Sequence, residues 1–372
     1  MSYFWYIIIF SLTIILANFC RNRERKKYWI ACGSLKIYKI NLCIMDAIVI
    51  GCPCILFLAL RYGVGSDFFN YQSVYDYFLA GNDYYQTEAG YNFIMGVADS
   101  IYSDYRSVIV LTSIITVWLM MLWIIKVNQY FQLELMVFII LTIYIGGWSN
   151  TIKQSIAVGI VALSYLQIEK RNLGKFLVLI FIASTVHISS IMVIPLYFIY
   201  GNEEKKFAKS NSGKKRFMKF IFLVGICFVI YIFYYIYAVQ NNLLFSRYIY
   251  STYEGGRTKD FFFISVLLYI PELIFMPKVI KESEKITFYY ILIGFEAVFF
   301  LASFKIAYAF RMASFFSLGH AIVIPSIIDY VDKKNKKLIV FYFVIILIIY
   351  SIYMRIINSY DHLLPYISIF SI

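Results

Sequence analysis

Charged residues are scarce in this chain of 372 residues. Only 15% of the residues are Asp, Glu, Lys or Arg, whereas 62% are hydrophobic. A soluble domain carries about a quarter charged residues and close to half apolar ones. The composition therefore excludes a soluble globular protein and indicates a chain that folds in a lipid bilayer.

Cysteine and histidine are also sparse, with six and three residues respectively. The cysteines form no CxxC pair and have no histidine close by, which argues against a zinc site and against a disulfide framework. The chain also lacks the HExxH, GxSxG, P-loop and GxGxxG motifs, so soluble hydrolases, kinases and nicotinamide-dependent enzymes have no support. We expect neither a metal nor a cofactor.

Long apolar stretches dominate what is present. Stretches of about 17 to 20 residues can cross the roughly 30 Å of bilayer hydrocarbon. Ten of them lie at 3–20, 41–60, 106–125, 133–148, 152–168, 219–239, 261–280, 286–303, 307–328 and 338–354. No internal repeat or low-complexity linker interrupts them. The sequence predicts an all-α polytopic membrane protein that forms a single domain over residues 1–372.

The formal net charge of +13 could suggest nucleic-acid binding, but the cations gather in short loops at 21–39, 170–175, 205–219 and 333–337. This clustering is the positive-inside signature of cytosolic loops, and it favours membrane lipid headgroups over nucleic acid as partners. Because its basic residues follow it, we expect the first span to be retained and not to be a cleaved signal peptide. We expect both termini to face outward, together with the loops 61–105 and 240–260.

One apolar segment, 176–200, conflicts with the charge pattern. If it crossed the membrane once, the basic loops 205–219 and 333–337 would face outward. Split near 186–190, the segment gives two pieces of about 18 Å each at 1.5 Å per residue. We therefore predict a re-entrant helical hairpin with His187 near its tip, since broken helices are tolerated at membrane depth where they line a cavity or are buried in protein.

The outward loop 61–105 contains a further predicted helix. Asp67 suits its N-cap, the helix covers 68–80, and Gly81 ends it. Three aromatic residues, Tyr71, Tyr75 and Phe78, fall on one side of that helix. An aromatic face can stack on sugar rings, or it can anchor the helix at the level of the lipid headgroups.

Ionisable residues at membrane depth are functional candidates because burying them is costly. Four stand out, and they are Arg61, Lys153, His187 and Arg311. A basic residue at the end of a span can also extend to the headgroups, and a histidine at a helix break can be purely structural. Three embedded carboxylates, Asp46, Glu272 and Glu296, could equally be buried ion-pair partners.

Several short motifs in a fixed order resemble the EpsG/Wzy family of polysaccharide polymerases. They are RYGVGSDF at 61–68, SN at 149–150, KQSIA at 153–157, VHISS at 186–190, AFRMA at 309–313 and PY at 365–366. The resemblance covers most of the chain. Together with the ten predicted spans and the re-entrant hairpin, it implies a fold that resembles that of the GT-C membrane glycosyltransferases.

The resemblance also implies an activity. Such enzymes transfer a growing glycan from undecaprenyl pyrophosphate to an incoming lipid-linked repeat unit at the outer face of the bacterial cytoplasmic membrane, without a metal. The expected partners are undecaprenyl-pyrophosphate-linked oligosaccharides, membrane lipids and a chain-length regulator protein. O antigen, capsule and exopolysaccharide all remain open as products.

Site residues follow from the matched motifs. Arg61 and Arg311 would hold the pyrophosphate, and preorganised cations would stabilise the charge that develops as the glycosidic bond breaks. Lys153 stands where the family has arginine, so it keeps the charge but loses the bidentate fork. Gln154 and Tyr71 complete the predicted substrate-binding set.

The acceptor hydroxyl needs a base. His187 is the first candidate because its ordinary pKa is near neutral. Asp67 is the second candidate for the catalytic role, and Glu88 is a further rival on the same outward loop.

Two other functions are compatible with the composition. A lipid-linked glycan flippase or other transporter should show paired halves with broken helices, and this chain shows one hairpin and no repeat. A membrane acyltransferase should have a histidine motif near its start, whereas the first histidine here is His187.

Overall fold

The computed structural model describes residues 2–28, 35–82, 87–127, 133–200, 256–282, 284–304, 309–357 and 362–371. The predicted span 219–239, the basic loop 205–219 and most of the outward loop 240–260 lie outside them. All the elements within the described ranges are helices. This confirms the predicted all-α class.

Six of the described helical segments are long and apolar enough to cross a bilayer, namely Phe4–Asn22, Tyr105–Val127, Leu133–Asn150, Phe262–Ile280, Ala309–Tyr330 and Lys333–Ile357. Four shorter apolar segments are Ile44–Ala59, Leu173–Val186, Ile188–Ile199 and Ile286–Ala302. The structure is consistent with a polytopic membrane protein. The predicted number of ten spans and the likeness to the GT-C fold stay predictions.

The chain forms two compact units, and unit 1 comprises Met1–Ile191 and Leu347–Ile372. Its helices are α1 Ser2–Tyr28, α2 Leu35–Ala59, α3 Phe68–Leu79, α4 Ala89–Ile101, α5 Tyr105–Val127, α6 Leu133–Asn150, α7 Ile152–Glu169 and α8 Leu173–Val186. Helix α5 packs against α2 and α7, α7 packs against α8, and α1 packs against α2 and α6. Trp123, Tyr165 and Phe176 are fully buried in these contacts.

Unit 2 comprises Met192–Ile346. Its helices are α9 Leu196–Ile199, α10 Gly256–Glu282, α11 Glu284–Ala302, α12 Ala309–Ala313, α13 His320–Tyr330 and the greater part of α14 Lys333–Ile352. Helix α11 packs against α10, α12 and α13, and α10 also packs against α13. The single-domain organisation predicted from the sequence stays a prediction.

The predicted break in segment 176–200 lies where expected. Helix α8 ends at Val186, His187 has an extended backbone with φ −152° and ψ 109°, and a 3-10 helix follows over Ile188–Val193. Whether this segment turns back within the membrane stays a prediction.

Helix α3 matches its predicted bounds closely, and Gly81 follows it with φ +63°. Asp67 occupies the N-cap position, but its side chain makes no capping hydrogen bond. The predicted aromatic face is wrong at Tyr75, which is buried and whose hydroxyl donates to Asp99 Oδ1 at 2.5 Å. This side of α3 therefore packs against α4 there, and it offers that ring neither to lipid nor to sugar.

Candidate functional site

The candidate site is built around residues 61–67, which we call the junction loop because they follow α2. The loop is held by the tail, residues 362–371. The amide of Tyr62 donates to the carbonyl of Ile367, the amide of Ile369 donates to Leu60, and the amide of Gly65 donates to His362, each at 2.9 Å. These bonds satisfy backbone groups that an isolated loop would leave to water.

On its other side, the junction loop contacts the break between α6 and α7. Gly65 has φ +102°, and a Cβ atom there would lie 2.8 Å from Asn150 Oδ1 and 3.0 Å from the carbonyl oxygen of Ser149. Only glycine fits both this dihedral angle and this space. Ser66 Oγ then donates to Asn150 Oδ1 at 3.1 Å, which joins the first two family-like motifs.

Arg61 lies at the centre of this arrangement and is only 2% exposed. Its guanidinium donates to the carbonyl of Leu58 at 2.5 Å and to the carbonyl of Ser149 at 3.4 Å. Both acceptors belong to the last turns of helices, α2 and α6, where carbonyls lack helical partners and favour a cation. The alternative in which Arg61 extends to the headgroups is therefore wrong.

No carboxylate in the described part of the chain forms an ion pair with Arg61. A guanidinium has five N–H groups, and Nε of Arg61 is buried without a hydrogen-bond partner. Burial lowers the pKa of Arg61 to about 10, while Tyr366, Tyr71 and other tyrosines act in the opposite direction. The side chain therefore stays positively charged at neutral pH, and its charge has no anionic partner there.

Tyrosines surround this cation. Tyr71 is half-buried, and its hydroxyl accepts a hydrogen bond from the amide of Ile152 at 2.9 Å, at the start of α7. Its ring lies 6.3 Å from that of Tyr91. The Tyr91 hydroxyl is buried without a hydrogen-bond partner in the described residues, and burial raises its pKa well above the ordinary value. The Tyr91 phenol can therefore serve as a neutral donor.

Glu88 connects two predicted site residues. Its Oε2 accepts a hydrogen bond from Lys153 Nζ at 2.8 Å, and its Oε1 lies 3.4 Å from Nδ1 of His187. The second distance is long for a hydrogen bond. Burial raises the pKa of the Glu88 carboxyl, but the neighbouring His187 and the bonded, charged Lys153 outweigh it and lower the pKa to about 2. Glu88 is therefore an anion at neutral pH.

Close packing of α4 on α8 fixes this cluster. A Cβ atom on Gly90 would lie 2.4 Å from Thr185 Oγ1 and 2.8 Å from the Thr185 carbonyl, so no larger residue fits. The contact holds Glu88, two residues earlier, beside the end of α8. Glu88 Oε1 is also 3.4 Å from the amide of Ile188.

The structure thus brings Arg61, Tyr71, Lys153 and His187 into one region of unit 1, through Glu88 and the α6–α7 break.

The remaining predicted site residues are placed as follows. Gln154 is buried in the first turn of α7. Asp67 is half-buried, and its carboxylate accepts from Ser66 Oγ at 3.4 Å. Arg311 is half-buried on α12 in unit 2, and its participation in the same site stays a prediction.

Unit 2 contains a second cluster of ionisable groups that the sequence analysis did not recognise. His320 Nδ1 lies 2.7 Å from Glu272 Oε1, and His320 Nε2 lies 2.6 Å from Glu296 Oε2. All three residues are at most 3% exposed. The hypothesis that Glu272 and Glu296 are buried groups with a pairing partner is confirmed, and the partner is a histidine within an apolar stretch.

Comparison with known proteins gives one finding. The model of the EpsG family matches residues 45–368, which is nearly the whole chain. No curated protein and no solved structure matches the chain.

Proposed function

Because the chain belongs to the EpsG family, we propose that it is a Wzy-like polymerase of polysaccharide repeat units. Family membership indicates a membrane protein of polysaccharide biosynthesis. In the proposed reaction, a growing glycan leaves undecaprenyl pyrophosphate and is transferred to the non-reducing end of an incoming lipid-linked unit, at the outer face of the bacterial cytoplasmic membrane.

The observation that carries the proposal is Arg61, which is buried and has no carboxylate partner among the described residues. An unpaired charge in a poorly hydrated site costs several kcal/mol, so a protein retains one where a ligand supplies the opposite charge. A pyrophosphate group is such a ligand, and arginine binds phosphate oxygens in a bidentate manner. Two helix ends position the guanidinium, which leaves Nε–H without a partner in the described residues.

The α6–α7 break supports the same ligand. Helix α7 begins at Ile152 directly beside the junction loop, and its Thr151 N-cap makes no side-chain hydrogen bond to the first turn. The N-terminus of a long helix favours an anion through its free amides and its dipole. Lys153 lies in this first turn and retains two N–H donors besides the one used by Glu88. Gln154, Tyr71 and Arg311 are the further proposed contacts to substrate.

The proposed chemistry needs one proton acceptor. In the proposed tautomer, the N–H group of His187 is on Nδ1, which lies 3.4 Å from Glu88 Oε1. Nε2 then carries the lone pair that accepts a proton. The acceptor hydroxyl gives its proton to Nε2 while its oxygen attacks the anomeric carbon of the donor. The bond between that carbon and the pyrophosphate oxygen breaks, and its electron pair leaves with the pyrophosphate, whose charge Arg61 stabilises. Asp67 is the alternative base.

A transporter of lipid-linked glycan is the second candidate function. One observation favours it, since Glu272 and His320 lie near the middle of apolar helical segments, where ionisable groups are typical of ion and proton pathways.

The glycan ladder of a deletion strain separates the two functions. A polymerase mutant retains surface glycan with one repeat unit and loses all longer products. Loss of even the single unit, restored by the wild-type gene, contradicts the polymerase and points to transport. Purified protein with defined lipid-linked repeat units provides the direct assay, in which product length is read on a gel.

A further inference from the structure

The cluster of Glu272, His320 and Glu296 shares no residue with the proposed polymerase site. Glu272 belongs to the apolar segment Phe262–Ile280, His320 to Ala309–Tyr330 and Glu296 to Ile286–Ala302, each near the middle of its segment. The three side chains form a linear chain in which one imidazole ring connects two carboxyl groups. Each ring nitrogen is within hydrogen-bond distance of one carboxyl oxygen.

This geometry fixes a minimum number of protons. A neutral imidazole has one N–H group and one lone pair, and the lone pair cannot lie 2.6 to 2.7 Å from an ionised carboxylate without strong repulsion. Either the ring carries both protons, or one carboxyl group is protonated and donates to the ring. Both arrangements hold two protons, and both leave the cluster with a net charge of −1.

No lysine or arginine in the described ranges forms an ion pair with either carboxylate. In the described part of the chain, the other titratable side chains beside the cluster are those of two tyrosines, Tyr269 and Tyr290. The ring of Tyr269 on α10 stacks on the His320 ring, with centroids 5.7 Å apart and planes inclined by 20°, and Tyr290 on α11 is close enough to Glu272 to interact electrostatically. A single negative charge at this depth is costly, so a third proton is favoured.

The hydrogen bonds indicate where that proton resides. Both carboxyl oxygens of Glu296 have a hydrogen-bond partner, because Ser317 Oγ donates to Oε1 at 2.5 Å and the His320 ring contacts Oε2. Within the described ranges Glu272 has only the ring contact, and its Oε2 is buried there without a hydrogen-bond partner. A lone carboxylate oxygen in an apolar site is best stabilised by protonation.

We propose that Glu272, His320 and Glu296 form an intramembrane proton-binding site, in which Oε2 of Glu272 holds the exchangeable proton. Uptake of this proton neutralises the cluster, and its release restores one buried negative charge between α10, α11 and α13. The site would therefore link the state of unit 2 to proton availability.

The test is infrared difference spectroscopy of the full-length protein in lipid vesicles across a pH titration. The wild type should show one protonated carboxyl band that shifts in D₂O and disappears as the pH rises. Glu272→Gln should remove that band. Asp332→Asn, which changes an exposed acid of the same unit, should leave it unchanged. Absence of a titrating band in the wild type, or its persistence in Glu272→Gln, would overturn the proposal.

Glu272→Asp covers the case in which Glu272→Gln does not accumulate. It keeps a carboxyl group, so the band should move in frequency, and an unmoved band would overturn the assignment to Glu272. Titrations in sodium, potassium and choline salts separate a proton from a metal cation. We expect one midpoint in all three, and a midpoint that depends on the cation would contradict a proton site.

Discussion

The Arg61 site of unit 1 and the Glu272–His320–Glu296 site of unit 2 are buried charge sites of opposite sign. In unit 1, Arg61 is a buried cation, and the described residues give it carbonyl partners but no carboxylate. In unit 2, Glu272 and Glu296 share one histidine, and the same part of the chain gives them no lysine or arginine. Within the described ranges, neither site contains the opposite charge that would neutralise it. The proposed ligands follow from the sign of each charge, an anion for unit 1 and a proton for unit 2.

A third charged cluster sharpens this comparison. Lys153 and Glu88 form a direct ion pair at 2.8 Å, so neither needs an external partner. The sequence already places Lys153 below Arg61 as a phosphate ligand, because lysine lacks the bidentate fork. Of the two, Arg61 is the one that the structure leaves without an anionic partner among the described residues. Lys153 is better placed to hold Glu88, whose Oε1 lies 3.4 Å from His187 Nδ1.

The largest expected effect is at His187. Removal of a positioned base costs about 10² to 10⁴ in rate, so His187→Gln should nearly abolish polymerisation while the protein still accumulates in the membrane. Product length on defined lipid-linked units measures this. His362→Gln, which changes an exposed histidine of the tail, is the matched control. Wild-type turnover in His187→Gln would reduce His187 to a structural role, and Asp67 or Glu88 would become the candidate base.

Arg61 should give the next largest effect. Loss of one group that stabilises charge in the transition state costs about 10² to 10³ in rate. Arg61→Lys should lose nearly as much as Arg61→Ala, because both remove the bidentate geometry. Arg106→Lys changes an exposed arginine bonded to Asp104 and should retain activity. If the Arg61→Ala variant is present at the normal protein level and still makes full-length product, the proposed anion site in unit 1 is contradicted.

Glu88 should affect stability in a pH-dependent manner. Its pKa is about 2 in the folded protein, below the ordinary 4.5, so its stabilisation is present above pH 4.5 and is lost as the pH falls toward 2. Glu88→Gln should lower the free energy of unfolding by about 1 to 3 kcal/mol at pH 7.

Thermal unfolding of purified protein at pH 7 and pH 3 tests this prediction. The difference between wild type and Glu88→Gln should shrink at the lower pH. Asp76→Asn, at an exposed position of α3, should show no such change. An equal penalty at both pH values would mean that the Lys153–Glu88 pair contributes nothing through its charge.

The smallest expected effect is that of metal removal. If Arg61 supplies the positive charge for the leaving pyrophosphate, EDTA should leave turnover unchanged. If EDTA abolishes activity and magnesium restores it, a metal ion supplies the positive charge for the leaving pyrophosphate. Arg61 would then no longer be needed as the cation that binds an anion in unit 1.

Local features of the fold could be predicted from the sequence. The break at His187 and the end of α3 near Gly81 depend on neighbouring residues and on charge counting, and both lie where expected. The junction at Arg61 was recognisable as a cation beside a glycine-containing loop. The burial of Arg61 could not be recognised, because it depends on the last turns of α2 and α6 and on the tail.

The pairing of distant residues could not be predicted. Glu88 and Lys153 are 65 positions apart, and Glu272 and His320 are 48 apart, so only the packing of helices brings them together. A signal for His320 was nonetheless present, since it is an ionisable residue within the apolar stretch 307–328. Because it lies near the middle of that stretch, His320 is a candidate for a buried ionisable group on the same grounds as Glu272 and Glu296.

The hydrogen bonds between the junction loop and the tail have a consequence for biogenesis. The amide of Gly65 pairs with the carbonyl of His362, so the loop cannot complete its backbone bonds until the ribosome has added about 300 further residues, which takes roughly 15 to 60 s at typical rates of synthesis. The helices that enter the membrane first are therefore in place before the last part of the chain can bond to them. A nascent chain that stalls before residue 362 inserts without the backbone hydrogen bonds that the tail gives to the junction loop.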